Sequence, residues 1–593
     1  MSRQILFNGS VLTRPGAYTK IDASQFNNIA LLGIGVVGLI GDADGGPPRV
    51  LLSFNDAASV RTTYRSGDLV EAAAMISDPT SDDIIVTGAQ TIVCYKTNGG
   101  TQATLTAAPF VFTSLDYGLP TNSINAQITS SSGNLRTVQV TGLNAFGNVV
   151  TETSPEFGDP TKYGKFTIQY VGAGSAATMT ITATGLTTTC TGAAGDNLAI
   201  VFANYNSLND IIFFIEGLAA YTCTALITNA TSFDPTNLDG LTAQDIKTSL
   251  YTAMANNFDL SNWLNTNSSQ VSVALTKGAT GPRAVLAKTA LSGGTRGTSA
   301  NSDWANAFTA MGSLRVNQLV TLASADATSV QGTYTIASIN AALATHCQLM
   351  SATLGRNERQ GWASLSGTKS VLITAAQGFN SEHVCFSSQK LTRQSAVTAN
   401  FVQFPEWSLA CVMAGMRAGA PLGEPLTHKI IKATSIANDA SWSTTNTNDI
   451  VDFLLNGIMM VTLVQGIGFR IEKGITTYTK SDNDAFTEES IVQNWKLIAY
   501  QWRTALENRY VGRPMDVGQI QTVKPFSAGI LRDLRDAGVI TDSIVNGVLT
   551  PGYGNISVNA SNGVLDVSGN VSPTPGINFI LNTAVLVPAQ FSL

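Results

Sequence analysis

Hydrophobic and polar positions repeat with two different periods along this chain, and the changes of period divide it. From residue 25 to 96 the pattern is mixed. An apolar run at Ile29–Ile40 predicts a buried strand, and Val50–Phe54 predicts a shorter one. Short helices are expected at 56–64 and 67–77, the second with Leu69, Ala72, Ala73 and Ile76 on one side. Strands at Ile84–Val86 and Thr91–Tyr95 close the segment. From 97 to about 240 the composition shifts to Thr, Ser, Ala, Gly and Asn. Strand signals such as Arg136–Thr141, Lys165–Val171 and Thr178–Thr184 alternate with turn residues, as in an inserted all-β domain. A connecting mixed segment, 241–283, carries a helix signal at Ala243–Ala253. Over 284–401 the mixed pattern returns. Helices are expected at Trp304–Met311 and Thr335–Leu354, and strands at Leu319–Leu322, Val371–Ala375 and Val384–Ser387. Joining 25–96 to 284–401 gives one discontinuous α/β body, a sheet covered by helices. Trp407–Ala418 reads as a helix of small residues able to pack closely on a neighbour.

The longest helix signal follows a strand at Gly468–Gly474. Thr487 is placed to cap it, Glu488 and Glu489 fall where the helix dipole favours negative charge, and Phe486 and Ile491 are spaced as a hydrophobic staple. Ile491, Trp495, Ile498, Trp502 and Leu506 then recur on one face, and Gly512 and Pro514 end the helix. A second helix is expected from Ser527 through Ala537, stopped by Gly538. Residues 402–545 thus read as a C-terminal α+β domain. Both ends of the chain look extended: an arm over 1–24, with Pro15 and Gly16 in its middle, and a β-rich arm over 546–593. Strands are expected there at Gly563–Gly569, Ile577–Leu581 and Ala584–Val587. The fold class is therefore a multidomain α+β / α/β chain with an inserted all-β outer domain and extended N- and C-terminal β-arms.

Composition narrows the function. Charged residues make up only 12% of 593, against roughly 25% in ordinary soluble chains, and Gly, Ser, Thr and Asn take their place. A surface so poor in charge is suited to being covered by partners. A net charge of −6 argues against a general nucleic-acid binder. No signal-peptide pattern opens the sequence, and the apolar run at 29–40 holds three glycines and falls short of a membrane helix, so assembly in a cytoplasm is expected. Cys94, Cys190, Cys223, Cys347, Cys385 and Cys411 are scattered without a CxxC and read as buried free thiols.

Catalytic chemistry finds little support. Gly33-Ile-Gly-Val-Val-Gly38 matches G-x-G-x-x-G by letter, but it lies inside an apolar run where no helix can open on a pyrophosphate. Close packing explains these glycines better. Asp42, Asp44 and Gly46 lack the closing Glu of a calcium loop, and His346, His383 and His428 lack metal-ligand spacing. No enzyme activity, cofactor or metal is expected. Around the long helix, Arg503, Arg509, Arg513, Lys524, Arg532 and Arg535 are nearly matched by acidic residues, as on a solvated mixed-charge face.

Several of these segments together resemble contractile tail sheath proteins of phages and phage-like injection systems. The residues that carry the likeness are Gly468-Phe-Arg-Ile-Glu-Lys-Gly-Ile-Thr-Thr477, the long helix, Tyr510-Val-Gly-Arg-Pro514, the helix ending in Ala537-Gly-Val-Ile540, and the early Arg14-Pro-Gly-Ala-Tyr18. The resemblance implies a structural subunit that polymerises with itself around a tail tube, contracts from a metastable extended state to drive the tube through a host envelope, and belongs to the virion tail. Its implied partners are the tube protein and the baseplate and tail terminator proteins, with no specific nucleic acid and no membrane insertion. On that reading Arg14, Pro15, Gly16, Tyr18, Ile577, Phe579 and Leu581 belong to inter-subunit arms that complete a neighbour's sheet. Lys524, Arg532 and Arg535 become candidates to face the tube. The rival expectations are an adhesive or surface-layer β-protein, suggested by the Thr/Gly/Asn-rich middle, and a nucleotide-binding enzyme resting on Gly33–Gly38.

Overall fold

The computed structural model describes residues 5–7, 10–12, 35–324, 332–578 and 580. It separates into two compact units, one of Ile34–Gln493 with Gly576–Leu593 and one of Met1–Gly33 with Asn494–Pro575.

A six-stranded sheet organises the larger unit. Its order is Val384–Ser387, Gln360–Ser364, Gln318–Thr321, Val36–Gly41, Thr91–Lys96 and Leu51–Phe54. The first five run parallel, and Leu51–Phe54 is antiparallel at the edge. The central strands are buried on both faces, as a sheet with helices on each side requires. One face packs on Asp68–Ser77 and Trp407–Gly419, the other on Asn301–Gly312 and Ile336–Ser351. Trp407–Gly419 does pack closely on a neighbour, but that neighbour is in its own chain. It is buried from Trp407 to Ala418 against the helix Asp68–Ser77. Two local expectations fail here. Ile84–Val86 is not a strand. Val371–Ala375 lies within the helix Lys369–Phe379, where Leu372 and Ala376 bury one face and Asn380 closes the end in the left-handed conformation (φ 37°, ψ 53°).

Between Lys96 and Ser299 the chain leaves this sheet and builds two further cores. One joins the sheets 149–153/137–143/125–129/286–290 and 271–275/110–114/104–107 with the helix Asn256–Asn267. The other is nested inside it. There Phe166–Tyr170 and Ala176–Ile181 centre two sheets covered by the helix Leu208–Glu216. Strict alternation builds these strands: along Gly185–Thr191, Leu186, Thr188 and Cys190 point inward and the intervening threonines outward. Strand pairing runs well past residue 240. The expected helix at 243–253 is replaced by the strands Leu241–Asp245 and Tyr251–Ala253, which pair with Ala176–Ile181 and Phe166–Tyr170. Between them Asp245 turns the chain by accepting the Lys247 and Thr248 amides. Arg61 and Arg65 tie the insertion to the body. Arg61 Nε donates to the Ala145 carbonyl (3.1 Å), and Arg65 Nε pairs with Asp116 Oδ2 (2.7 Å).

In the smaller unit the helix Val517–Asp536 packs on the strand Tyr553–Ser561, burying Val523, Ile530, Leu531 and Leu534. This helix starts ten residues before the expected Ser527. Asp516 caps it through the Gln519 amide, and Pro525 is carried inside it rather than ending it. The long helix runs over Glu489–Tyr510. Thr487 is not its cap. It closes the short helix Asp484–Thr487, and Glu488 is the extended residue between the two helices. At the N-terminal end, Ile5–Phe7 and Ser10–Leu12 form an antiparallel hairpin.

Candidate assembly surfaces

Most of the expected C-terminal arm is folded. Ser543–Val545 pairs with Val548–Thr550 across Asn546-Gly547, and Tyr553–Ser561 pairs with Val564–Val571 across Asn562-Gly563. All four turn residues have positive φ, the geometry that two-residue hairpins demand of Asn-Gly. Pro573 then bridges Ile540, and Thr574 donates through its amide to the Val539 carbonyl (2.9 Å) and through its hydroxyl to Gly538 (2.7 Å). Ile577 follows, 80% exposed. Phe579 and Leu581, like Arg14, Pro15, Gly16 and Tyr18, lie outside the described residues.

Where the chain returns to the larger unit at Gly576, a buried carboxylate receives it. Glu488 Oε1 accepts the Gly576 amide (3.0 Å) and the Ser490 hydroxyl (2.8 Å), and Oε2 accepts Asn578 Nδ2 (2.9 Å). Next to it, Glu489 turns into the core. Its Oε2 accepts Arg417 Nη2 (2.7 Å) and Nε (3.1 Å), and both side chains are sealed from solvent. The two acidic residues expected to serve the helix dipole therefore have separate partners. Local spacing carries no signal for this, because Arg417 and the returning chain at Gly576 and Asn578 lie far off in sequence.

Lys524, Arg532 and Arg535 all lie on the helix Val517–Asp536, the first two exposed and Arg535 about one-third so. They do not make a free basic stripe. Arg532 is 3.6 Å from Asp533, and Arg535 is 3.0 Å from Asp536 and 4.0 Å from Asp542. The Asp536 hydrogen bond raises the Arg535 pKa above its ordinary value. Charge here is nearly balanced, which suits contacts that are individually weak and releasable.

Gly33 of the glycine motif lies outside the described residues. Gly38 lies within the strand Val36–Gly41, and a Cβ there would come to 2.9 Å from both Leu319 and Val316. Asp42 accepts the Thr97 and Ser299 hydroxyls, both 2.6 Å, pinning the two chain crossings to the insertion, while Asp44 faces Arg296 at 3.3 Å. Burial pushes the nearby Asp68 carboxyl up to about 7. Burial, with Arg359 at 2.7 Å, lowers His346 to about 4. All six cysteines are buried free thiols. Among the described residues no three His, Cys, Asp or Glu side chains are grouped to hold a metal, and no helix is long and apolar enough to cross a membrane.

Comparison with known proteins accounts for this architecture. Residues 297–477 match the family model of the phage tail sheath protein central domain. That span takes in the last three parallel strands of the sheet, the buried helix Trp407–Gly419 and the strand Gly468–Ile471. Along nearly its whole length the chain is similar to the tail sheath protein of Bacillus phage SP01, 24% identical over 98% of this chain and 97% of that one. A putative tail sheath protein of Enterococcus phage phiEF24C is 22% identical over 90% and 91% of the two chains. The crystal structure of a sheath tail protein from Desulfitobacterium hafniense shares the fold, with a TM-score of 0.52, 13% identity, and coverage of 89% of this chain and 90% of that one. The chain thus carries the phage tail sheath central domain over 297–477, and along nearly its whole length it is similar to tail sheath proteins of phages.

Proposed function

We propose that this chain is the repeating subunit of a contractile sheath, polymerising around a tail tube in a metastable extended state and shortening to drive that tube through a host envelope. The carrying observation is similarity to a phage tail sheath protein from one end of the chain to the other. The sheath is a virion tail component, assembled in the host cytoplasm before release. Its partners are further copies of itself, the tube protein, and the baseplate and terminator at the two ends. It acts without catalysis: contraction is a change between two packings of the same bodies. The insertion faces outward, and the termini cross to neighbouring subunits. Because 543–571 is folded, the C-terminal arm is confined to the residues after Asn578. A paired strand of about five residues makes a handful of backbone bonds, each worth roughly 0.5–1.5 kcal/mol, so one arm is a modest link and two per subunit make a net.

Removing residues 1–20 tests the arms. The shortened chain is expected to stay folded and soluble and to form no hollow tubes in negative-stain images; normal tubes refute the arm reading. Charge reversal tests the tube-facing helix. Arg532→Glu with Arg535→Glu is expected to weaken co-sedimentation with tubes while leaving sheath–sheath polymers intact. Equal loss of both places the helix elsewhere.

A further inference from the structure

We propose that the Glu488 carboxylate is the anchor that fixes the point where the C-terminal segment leaves the subunit, making it a positioning residue for assembly. This rests on the reading of the residues after Asn578 as an inter-subunit arm.

Glu488 is 2% exposed. Among the described residues no cation pairs with it, so its charge is met by hydrogen bonds alone. Two of its three donors, the Gly576 amide and Asn578 Nδ2, belong to the returning chain, and only the Ser490 hydroxyl is local. A buried carboxylate holds such donors firmly, because leaving its oxygens unmet is costly and bonds to a charged acceptor are the strong ones. The backbone of Glu488 is itself fixed. Its amide donates to the Asp484 carbonyl (3.1 Å), its carbonyl accepts the Val492 amide (3.1 Å), and it bridges Ile475. The returning chain is fitted to the anchor. At Gly576 a Cβ would come to 2.6 Å from Glu488 Oε1 and 3.0 Å from Pro425 Cβ. Glycine is what lets the amide approach.

Residues 579–593 remain beyond this point, fifteen in number. Fully extended, a chain of that length spans at most about 50 Å. Where such a tether is rooted decides whether it finds its partner. A fixed root raises the effective concentration of the arm at one neighbouring site and lowers the ordering cost of docking. A root that swings free spreads the same residues over a larger volume.

The test compares full-length subunits carrying Glu488→Gln, subunits carrying Gly576→Val, the unaltered chain, and a chain ending at Asn578. Amide hydrogen exchange is followed in unassembled subunits, and polymer is measured by pelleting and negative stain. In both substituted chains the strand Val36–Gly41 is expected to keep its protection. Exchange at the Gly576 amide should speed up about tenfold or more, with a comparable drop in pelletable polymer. A loosened root with full polymer yield overturns the inference and leaves the sheath reading standing. So does fast exchange at Gly576 in the unaltered chain. Loss of protection throughout the body in both variants also overturns it, making Glu488 a folding residue instead. Normal tubes from the chain ending at Asn578 would sink the arm reading itself.

Discussion

Arg417→Ala is expected to lower the stability of the larger unit by about 3–5 kcal/mol, the range seen when one partner of a buried ion pair is removed. The argument rests on what is left behind. Arg417 and Glu489 are 1% and 0% exposed, and the guanidinium spends Nη2 and Nε on Glu489 and Nη1 on the Glu424 carbonyl (2.9 Å). Truncation takes two charge-assisted hydrogen bonds from a carboxylate in a core and one from a carbonyl beside it. Urea unfolding of unassembled subunits, followed by tryptophan fluorescence, reads the loss as a lower midpoint. Replacing both partners with apolar residues of similar size, Arg417→Met with Glu489→Leu, should recover most of it, because attraction in such a pair roughly offsets the cost of desolvating both charges. A shift under about 1 kcal/mol for Arg417→Ala would mean that water reaches the pair.

How much of this could be read from the sequence depends on how local each signal was. Four of the five parallel strands and the helices 57–64, 68–77 and 301–312 were legible because apolar residues recur along the whole element, whereas Gln360–Ser364, short and half polar, carried no strand signal. So was the packing role of Gly38. Long-range pairing decided the cases that failed. Residues 241–253 carry a helix-like spacing, yet two waiting sheet edges take them as strands. At 371–375 the branched residues suggested a strand, although Leu372, Ala376 and Asn380 already marked a helical face and its stop. Asn546-Gly547 and Asn562-Gly563 are hairpin signals of the strongest short-range kind, and they show why 543–571 folds into two hairpins. Expected only from Ser527, the second helix begins at Val517 and carries Pro525 inside it, where burial of Val523, Ser527, Ile530, Leu531 and Leu534 on one face outweighs the missing amide. The Glu488 anchor could not be found by spacing, since two of its three donors lie about ninety residues away.

Gly415→Val is expected to destabilise the same unit by about 3 kcal/mol or more, at the upper end of what overpacking a core costs. Gly415 lies in the buried helix Trp407–Gly419, and a Cβ there would come to 2.6 Å from both Cα and O of Ile76 in the helix Asp68–Ser77. The obstruction is backbone, which cannot rotate away as a side chain can, so the two helices must separate over a shared core. Even Gly415→Ala should cost stability, although alanine gains roughly 1 kcal/mol over glycine in an open helix. A matched control has the opposite sign. Gly529 lies in the helix Val517–Asp536 with nothing within 4 Å of an added Cβ, so Gly529→Ala is expected to raise stability by about 0.5–1 kcal/mol. Thermal and urea unfolding of the three variants read both signs at once. Subunits that push against one another must carry load through a body that does not yield, and the Gly415 contact is where two covering helices of that body are locked together. Gly415→Val should therefore reduce tube formation with both chain ends intact, and tubes at full yield from a clearly destabilised subunit would show that assembly draws its rigidity from elsewhere.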